Sequence, residues 1–411
     1  MPNPQHHDVV VIGAGIAGAT IANELLERGQ SVCVVDAASN PASACSSHAY
    51  AIAHPHIGKG SPRLLRLTRI AFLMAETRWG KQWQQHGIFQ PSKKDKAFHY
   101  EEMAEHLRLL DLDESIAQPL EKHQAATCCG IEQSGVWLPR GASLSLANAT
   151  HQLLRTHENL TCIWNLKITR LESQNHRWVL LDDKNAPVMT ANKVIVAAAM
   201  GAKPLLNSID IRLPLKPVRG QLTIFSVAPN DPWVNYLPRV GVSGDGYCLP
   251  AQKMADGSYR WIVGSSFDEG EDDLSPRHSS DVFNREQAKG LVDFSQGDPE
   301  SLKIQDCFVG VRSVAGDRLP IIGALAQRPG IFLAIALGSR GVLWSALAAK
   351  LITSQVLEDD FAVLARLGFA ADLVAALAPA RFFAGALAAP SALGALASNS
   401  KPILPSGPKA R

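Results

Sequence analysis

Val9-Val10-Val11-Ile12-Gly13-Ala14-Gly15-Ile16-Ala17-Gly18 is the stretch that decides the fold. A continuous β-branched run reads as a strand buried on both faces, the habit of parallel sheets. Gly-x-Gly-x-x-Gly follows at once. Ala19 to Arg28 then continues as a helix with Ile21, Leu25 and Leu26 on one face and Gly29 as its stop. A second buried strand, Ser31 to Val35, ends in Asp36, 18 residues beyond Gly18. The glycine spacing alone is a weak signal. Placed between a buried strand and a helix, with an acidic residue closing the next strand, it specifies a dinucleotide site. Gly13 permits the tight turn, Gly15 lets backbone approach a pyrophosphate, and Gly18 allows helix and strand to pack closely. The helix N-terminus offers free N–H groups and positive potential to the phosphates. Asp36 is expected to accept hydrogen bonds from the adenosine ribose, and an acidic residue there disfavours a 2′-phosphate, so NADP is not expected.

The motif leaves NAD and FAD open, and the rest of the chain discriminates. An NAD enzyme continues with more β-α-β units. Here the pattern stops after Asp36 and returns late, which suits a flavoprotein with a discontinuous cofactor domain. Residues 37–60 read as loop, residues 62–86 as a helix, and Glu101 to Leu110 as a short helix in a polar stretch. Val194 to Ala199 is a buried strand ending in small residues, which allow a ligand close to the backbone. Strands follow at Gln221–Phe225, Tyr247–Pro250, Tyr259–Gly264, Val309–Ser313 and Ile331–Ala336. A second glycine-rich turn, Leu337-Gly338-Ser339-Arg340-Gly341, opens an apolar helix from Val342 to Leu357. Such a helix N-terminus suits the negative charge that a flavin pyrimidine gains on reduction. The Ala-rich tail after Leu367 suggests a helix and then a loose end.

The 411 residues carry 40 Lys plus Arg against 38 Asp plus Glu, a formal charge of +2. That balance excludes polybasic binding, although a local basic face is possible. The seven cysteines are scattered and form no C-x-x-C pair, so neither a zinc site nor a disulfide framework is expected and a reducing cytoplasm fits best. His48, His54 and His56 lack the spacing of a metal site. The N-terminus reads as neither signal peptide nor membrane span. Arg312 lies in a mostly apolar strand and needs a partner: a structural carboxylate such as Asp317, or a substrate carboxylate, which a guanidinium binds bidentately. Tyr247 has the same two readings, and a strand tyrosine is more often core than ligand contact.

Together these residues resemble the D-amino-acid-oxidase/glycine-oxidase superfamily of FAD enzymes, and within it the FAD-dependent domain of the bacterial tRNA wobble-uridine modification enzymes (MnmC type). The most specific parts are Pro217-Val218-Arg219-Gly220-Gln221, Gly246 to Pro250, Gly264-Ser265-Ser266-Phe267, Gly310-Val311-Arg312 with Asp317 to Pro320, and Gly338 to Gly341. Leu377 to Phe382 is similar to that family's ending. The resemblance implies an α/β fold with a Rossmann-like, discontinuous FAD-binding domain (1–84, 140–213 and 305–385). It also implies a mainly antiparallel substrate domain (85–139 and 214–304) and a loose tail over 386–411. It implies FAD contacts from Gly13, Gly15, Ile16, Ala17, Gly18, Asp36, Ala37, Ser46, Ser47, His48, Ala199, Gly338, Ser339, Arg340, Gly341 and Val342. The chemistry would fall to Arg312, Tyr247 and Arg340, with Arg312 holding a substrate carboxylate. The implied reaction is oxidation at a CH–NH group: tRNA 5-carboxymethylaminomethyl-(2-thio)uridine would yield the 5-aminomethyl base and glyoxylate.

Two departures from the family pattern stand out. Cys45-Ser46-Ser47-His48 replaces an Ala-Ser-Gly-Asn-type flavin loop, and His54-Pro55 replaces a Tyr-Pro. No room is expected for the methyltransferase domain that often precedes the flavin domain, so methylation would fall to a separate protein or not occur. The alternatives are an oxidase of free glycine, sarcosine or D-amino acids, and a non-catalytic FAD protein. A tRNA enzyme needs phosphate contacts. The candidate face is Lys59, Arg63, Arg66, Arg69, Arg78 and Lys81, with Lys93, Lys94 and Lys96.

Overall fold

A computed structural model describes residues 4–58, 60–93, 97–291 and 301–383. The opening forms as its sequence dictates. Strand Gln5–Ile12 is buried throughout its Val9–Ile12 end, and helix Ile16–Glu27 and strand Val32–Val35 follow. Strand Gln5–Ile12 is the centre of an eight-stranded mixed sheet. It pairs in parallel with Val32–Val35 on one side and with Pro187–Val196 on the other. Val32–Val35 pairs in parallel with Leu160–Ile163. Strand Pro187–Val196 changes partner midway. Its first half lies antiparallel to Arg177–Asp182, and Val194–Val196 lies parallel to Ile331–Leu333.

One face of this sheet is covered by helices Ile16–Glu27 and Gly341–Val356, which share a core with helix Pro62–Trp79. The other face is covered by helix Ala202–Asn207 and the residues around it. Helix Gly341–Val356 is apolar on nearly every side because it is buried on nearly every side. These observations establish the α/β, Rossmann-like architecture.

The second sheet has ten strands and is mainly antiparallel. Its backbone is the long pair Leu215–Val227 and Lys303–Ala315, in register so that Gly220 faces Gly310 and Val218 faces Arg312. Tyr259–Gly264 flanks Leu215–Val227 on the other side and pairs with Gly246–Cys248, setting Tyr247 opposite Gly264.

The helix expected over 62–86 ends at Trp79. Ser61 caps its start by accepting from Leu64 N, Pro62 takes the first turn, and Gly80 at φ +45 breaks it. Helix His278–Leu291, unread in the sequence, packs beside the second sheet; its polar outer face gives only a weak apolar stripe. The tail over 386–411 lies outside the described residues. No helix among the described residues is long and apolar enough to cross a membrane.

Candidate active site

The glycine loop is held from three sides. Gly13 sits at φ +108, and a Cβ there would press on the Ala197 carbonyl oxygen at 2.6 Å. A Cβ on Gly18 would collide with the Gly13 carbonyl, so the helix lies directly on the turn. Gly15 begins the helix without a side-chain cap. The Ile16 N–H donates to Ser46 Oγ at 2.9 Å, which ties the Cys45–Ser47 turn to the helix start. Asp36 stiffens the cradle, accepting from Ala14 N at 2.6 Å and from Ala38 N at 2.8 Å. Its carboxylate thus reaches back to the loop from the end of the second strand.

A cavity of about 440 Å³ runs from this cradle to the second sheet, within the range of small-molecule sites. Gly13, Gly15, Ile16, Ala17, Asp36 and Ala37 line one end. Ser46, His48, Ala199, Gly338, Ser339, Gly341 and Val342 line it further along, and Tyr247, Ser265 and Arg312 close the other end. Three expected contacts do not line it. Gly18 is consumed in packing. Ser47 is exposed and donates to Ala44 O at 2.8 Å. Arg340 turns away, its Nη2 donating to His56 Nδ1 at 3.1 Å, and its backbone alone shapes the turn between Ser339 and Gly341. Arg340 thus does not line the cavity that Arg312 and Tyr247 line.

Arg312 is one of three charged side chains lining the cavity, with Asp36 and Lys167, and it comes from the second sheet. Its Nη2 donates to Ser265 Oγ at 2.5 Å, and it forms no ion pair among the described residues. The expected structural partner, Asp317, instead accepts from Arg381 Nε at 2.7 Å, and Asp268 is taken by Arg219 at 3.0 Å. Burial pulls the Arg312 guanidinium below its ordinary value, only partly countered by the Tyr247 hydroxyl and the Cys45 thiol nearby. A part-buried guanidinium without an ion pair among the described residues could receive a carboxylate from a ligand. Gly220 makes the room, because a Cβ there would run into the guanidinium. Burial pushes the Tyr247 phenol up to about 12, so it stays a protonated donor. Burial also holds His48 and His54 down at about 4, hence neutral. His54 Nδ1 lies 2.9 Å from Pro55 O, an acceptor, so Nδ1 carries the proton and Nε2 accepts from Ser243 Oγ at 3.0 Å. No group of three or more metal-ligating side chains forms among the described residues.

Ser265 and Gly220 were not singled out by the sequence as parts of a site. A glycine inside a β-branched strand was the available signal for Gly220, since it marks a close approach. The basic face is largely neutralised. Arg66 pairs with Asp372, Arg69 with Asp111, Arg78 with Glu27 and Lys93 with Asp245, while Arg63 and Lys81 are exposed. Lys59, Lys94 and Lys96 lie outside the described residues.

The family profile described as FAD dependent oxidoreductase (DAO) matches residues 8–355. The chain belongs to this FAD-dependent oxidoreductase family. FAD is its cofactor, and the cavity suits it. The helix start at Gly15 and Ile16 lines the cavity, and two buried polar atoms on the wall, His48 Nδ1 and Ser313 Oγ, have no partner among the described residues. Among curated relatives, the chain is 30% identical, over 93% of its length, to a protein of Ralstonia nicotianae named tRNA 5-methylaminomethyl-2-thiouridine biosynthesis bifunctional protein MnmC. It is 28% identical, over 94% of its length, to the protein of that name from Burkholderia multivorans. It spans 61% of the length of each. Among solved structures, glycine oxidase from Geobacillus kaustophilus superposes with a TM-score of 0.69 at 19% identity, covering 87% of this chain and 96% of that one. L-proline dehydrogenase from P. horikoshii gives 0.69 at 15% identity, covering 92% and 98%. At these identities the solved structures speak for the fold alone.

Proposed function

We propose that this chain oxidises the carboxymethylaminomethyl arm of a wobble uridine, with or without the 2-thio group, in tRNA. The products are the 5-aminomethyl base and glyoxylate. The observation that carries the reading is Arg312: a part-buried guanidinium without an ion pair among the described residues, on the wall of the same cavity as the dinucleotide cradle. The tRNA half of the reading rests on the relatives named for thiouridine biosynthesis.

The eight-stranded unit holds the cofactor through the Gly13–Ala17 turn, Asp36, Ser46 and the Gly338–Val342 turn. The ten-stranded unit holds the substrate. FAD supplies the two-electron acceptor for a hydride from carbon. Arg312 grips the arm's carboxylate bidentately, and Ser265 fixes the guanidinium's orientation. Tyr247, protonated throughout, adds a hydrogen bond to the same carboxylate. No residue of the cavity need act as a strong base, because an amine bound neutral gives up the hydride pair from carbon and then the N–H proton. Water adds to the resulting C=N bond, and the C–N bond breaks to release glyoxylate. Exposed Arg63 and Lys81 remain as phosphate contacts.

The test is product analysis. Protein and FAD are incubated with tRNA carrying the modified wobble base, which is then digested and its nucleosides separated by mass. Conversion to the aminomethyl nucleoside with one glyoxylate each supports the proposal. An unchanged nucleoside, together with turnover of free glycine or sarcosine, overturns it in favour of a small-molecule amine oxidase.

A further inference from the structure

Phe267 directly follows the Ser265–Ser266 pair that receives the Arg312 guanidinium. Its ring packs against Arg312, with the guanidinium carbon 5.5 Å from the ring centroid, yet 47% of the residue is exposed. It does not line the cavity, whose wall here is Ser265 and Arg312, so the ring stands outside at the arginine end. A lone exposed phenylalanine needs no explanation. One clamped by the arginine that receives the substrate is different, since its ring is oriented and ready to be covered.

We infer that Phe267 is the stacking platform for the substrate's nucleobase, an inference that rests on the wobble-uridine reading above. The span fits. Four bonds separate C5 of the uracil from the carboxylate carbon of its arm, about 5 Å when extended. A carboxylate seated on Arg312 puts the base within reach of a ring 5.5 Å from that guanidinium. Proteins that read single-stranded RNA loops splay bases onto aromatic faces in this manner. A free amino acid has nothing to place there. The platform thus gives one site a preference for an amine carried on a base over the same amine alone.

The experiment compares two ligands under anaerobic conditions. One is tRNA bearing the carboxymethylaminomethyl uridine. The other is sarcosine, which keeps the amine and carboxylate and replaces the base with hydrogen. Apparent dissociation constants are read from the concentration dependence of the stopped-flow signal, the flavin-band shift on mixing and any bleaching that follows it, and the quantity reported is their ratio. Phe267→Ala shifts the ratio against tRNA by roughly tenfold to a hundredfold, the loss of one aromatic stack. Phe267→Tyr, which keeps the ring, leaves the ratio in place. An unchanged ratio in Phe267→Ala overturns the platform, as does parallel weakening of both ligands, which would make Phe267 only a support for Arg312. Bound flavin per chain confirms that the variants fold. Failure of the wobble reading shows separately, as wild-type protein that responds to sarcosine and not to modified tRNA.

Discussion

Gly220→Ala tests the arginine seat without touching Arg312. Gly220 is buried in strand Leu215–Val227, and its φ is ordinary for any residue, so the substitution brings no backbone strain. The new Cβ would lie 2.7 Å from Arg312 Cζ, where ordinary contact begins at 3.4 Å, and it is hemmed in by Ser266 O at 3.0 Å. The guanidinium must move, giving up its 2.5 Å bond to Ser265. Displacement of a binding group on the scale of 1 Å costs on the order of 100-fold. Loss of a charge-assisted hydrogen bond costs about 1.5–3 kcal/mol, which agrees. Overpacking costs about 1–3 kcal/mol of stability, modest for a chain of this size. The assay is stopped-flow flavin reduction against substrate concentration, for Gly220→Ala, Arg312→Met and the double variant. If Gly220 acts through Arg312 alone, the double variant matches Arg312→Met. Full additivity, or a Gly220→Ala protein with wild-type affinity, would refute the reasoning.

Further outcomes follow from the same geometry. Gly15→Ala puts a Cβ 3.2 Å from Ser46 Oγ on the cradle side, so bound FAD per purified chain should fall while the fold is kept; far-UV dichroism and flavin absorbance read both. Burial holds His48 and His54 at about 4 against an ordinary 6.5, so between those pH values the unfolded chain takes up protons that the folded chain refuses. Stability should therefore drop as pH falls through that window, and a calorimetric Tm series should flatten in His54→Asn. Tyr247 at about 12 stays protonated, so reduction rates should show no phenol ionisation up to pH about 10, and Tyr247→Phe should weaken substrate binding without moving the pH profile. Arg219 is fully buried on Asp268, Gln221 and Ser280, so Arg219→Met leaves that polar cluster unpaired and should cost about 3–5 kcal/mol by denaturant titration.

The first sheet and its glycine turn were legible because local pattern and tertiary role coincide there. Val9–Ile12 has to be buried on both faces, and Gly13 and Gly18 have to lie against Ala197 and each other, so few other residues would serve. The second sheet was legible only in part. Arg312 was conspicuous in an apolar strand, but its partner was not, since Asp317 and Ser265 are both near it in sequence or sheet and only the register of strand Lys303–Ala315 decides between them. Arg340 shows why neighbours in sequence need not share a lining. Its neighbours Ser339 and Gly341 face the cavity, yet a guanidinium reaches far enough to leave, and His56 takes it. The regular spacing of Arg63, Arg66 and Arg69 suggested a charged face, and the acids that cancel most of it come from residues 111 and 372, too distant in sequence for periodicity to reveal.

The central claim is that Arg312 and the FAD cradle form one amine-oxidising site for a base-borne arm. The most direct measurement is the oxidised flavin band under anaerobic conditions, as protein is mixed with tRNA carrying the carboxymethylaminomethyl group, with tRNA lacking it, and with free glycine or sarcosine. Bleaching by the modified tRNA, little by the others, and none in Arg312→Met is the predicted result. Bleaching by the free amino acids with the modified tRNA inert would contradict it.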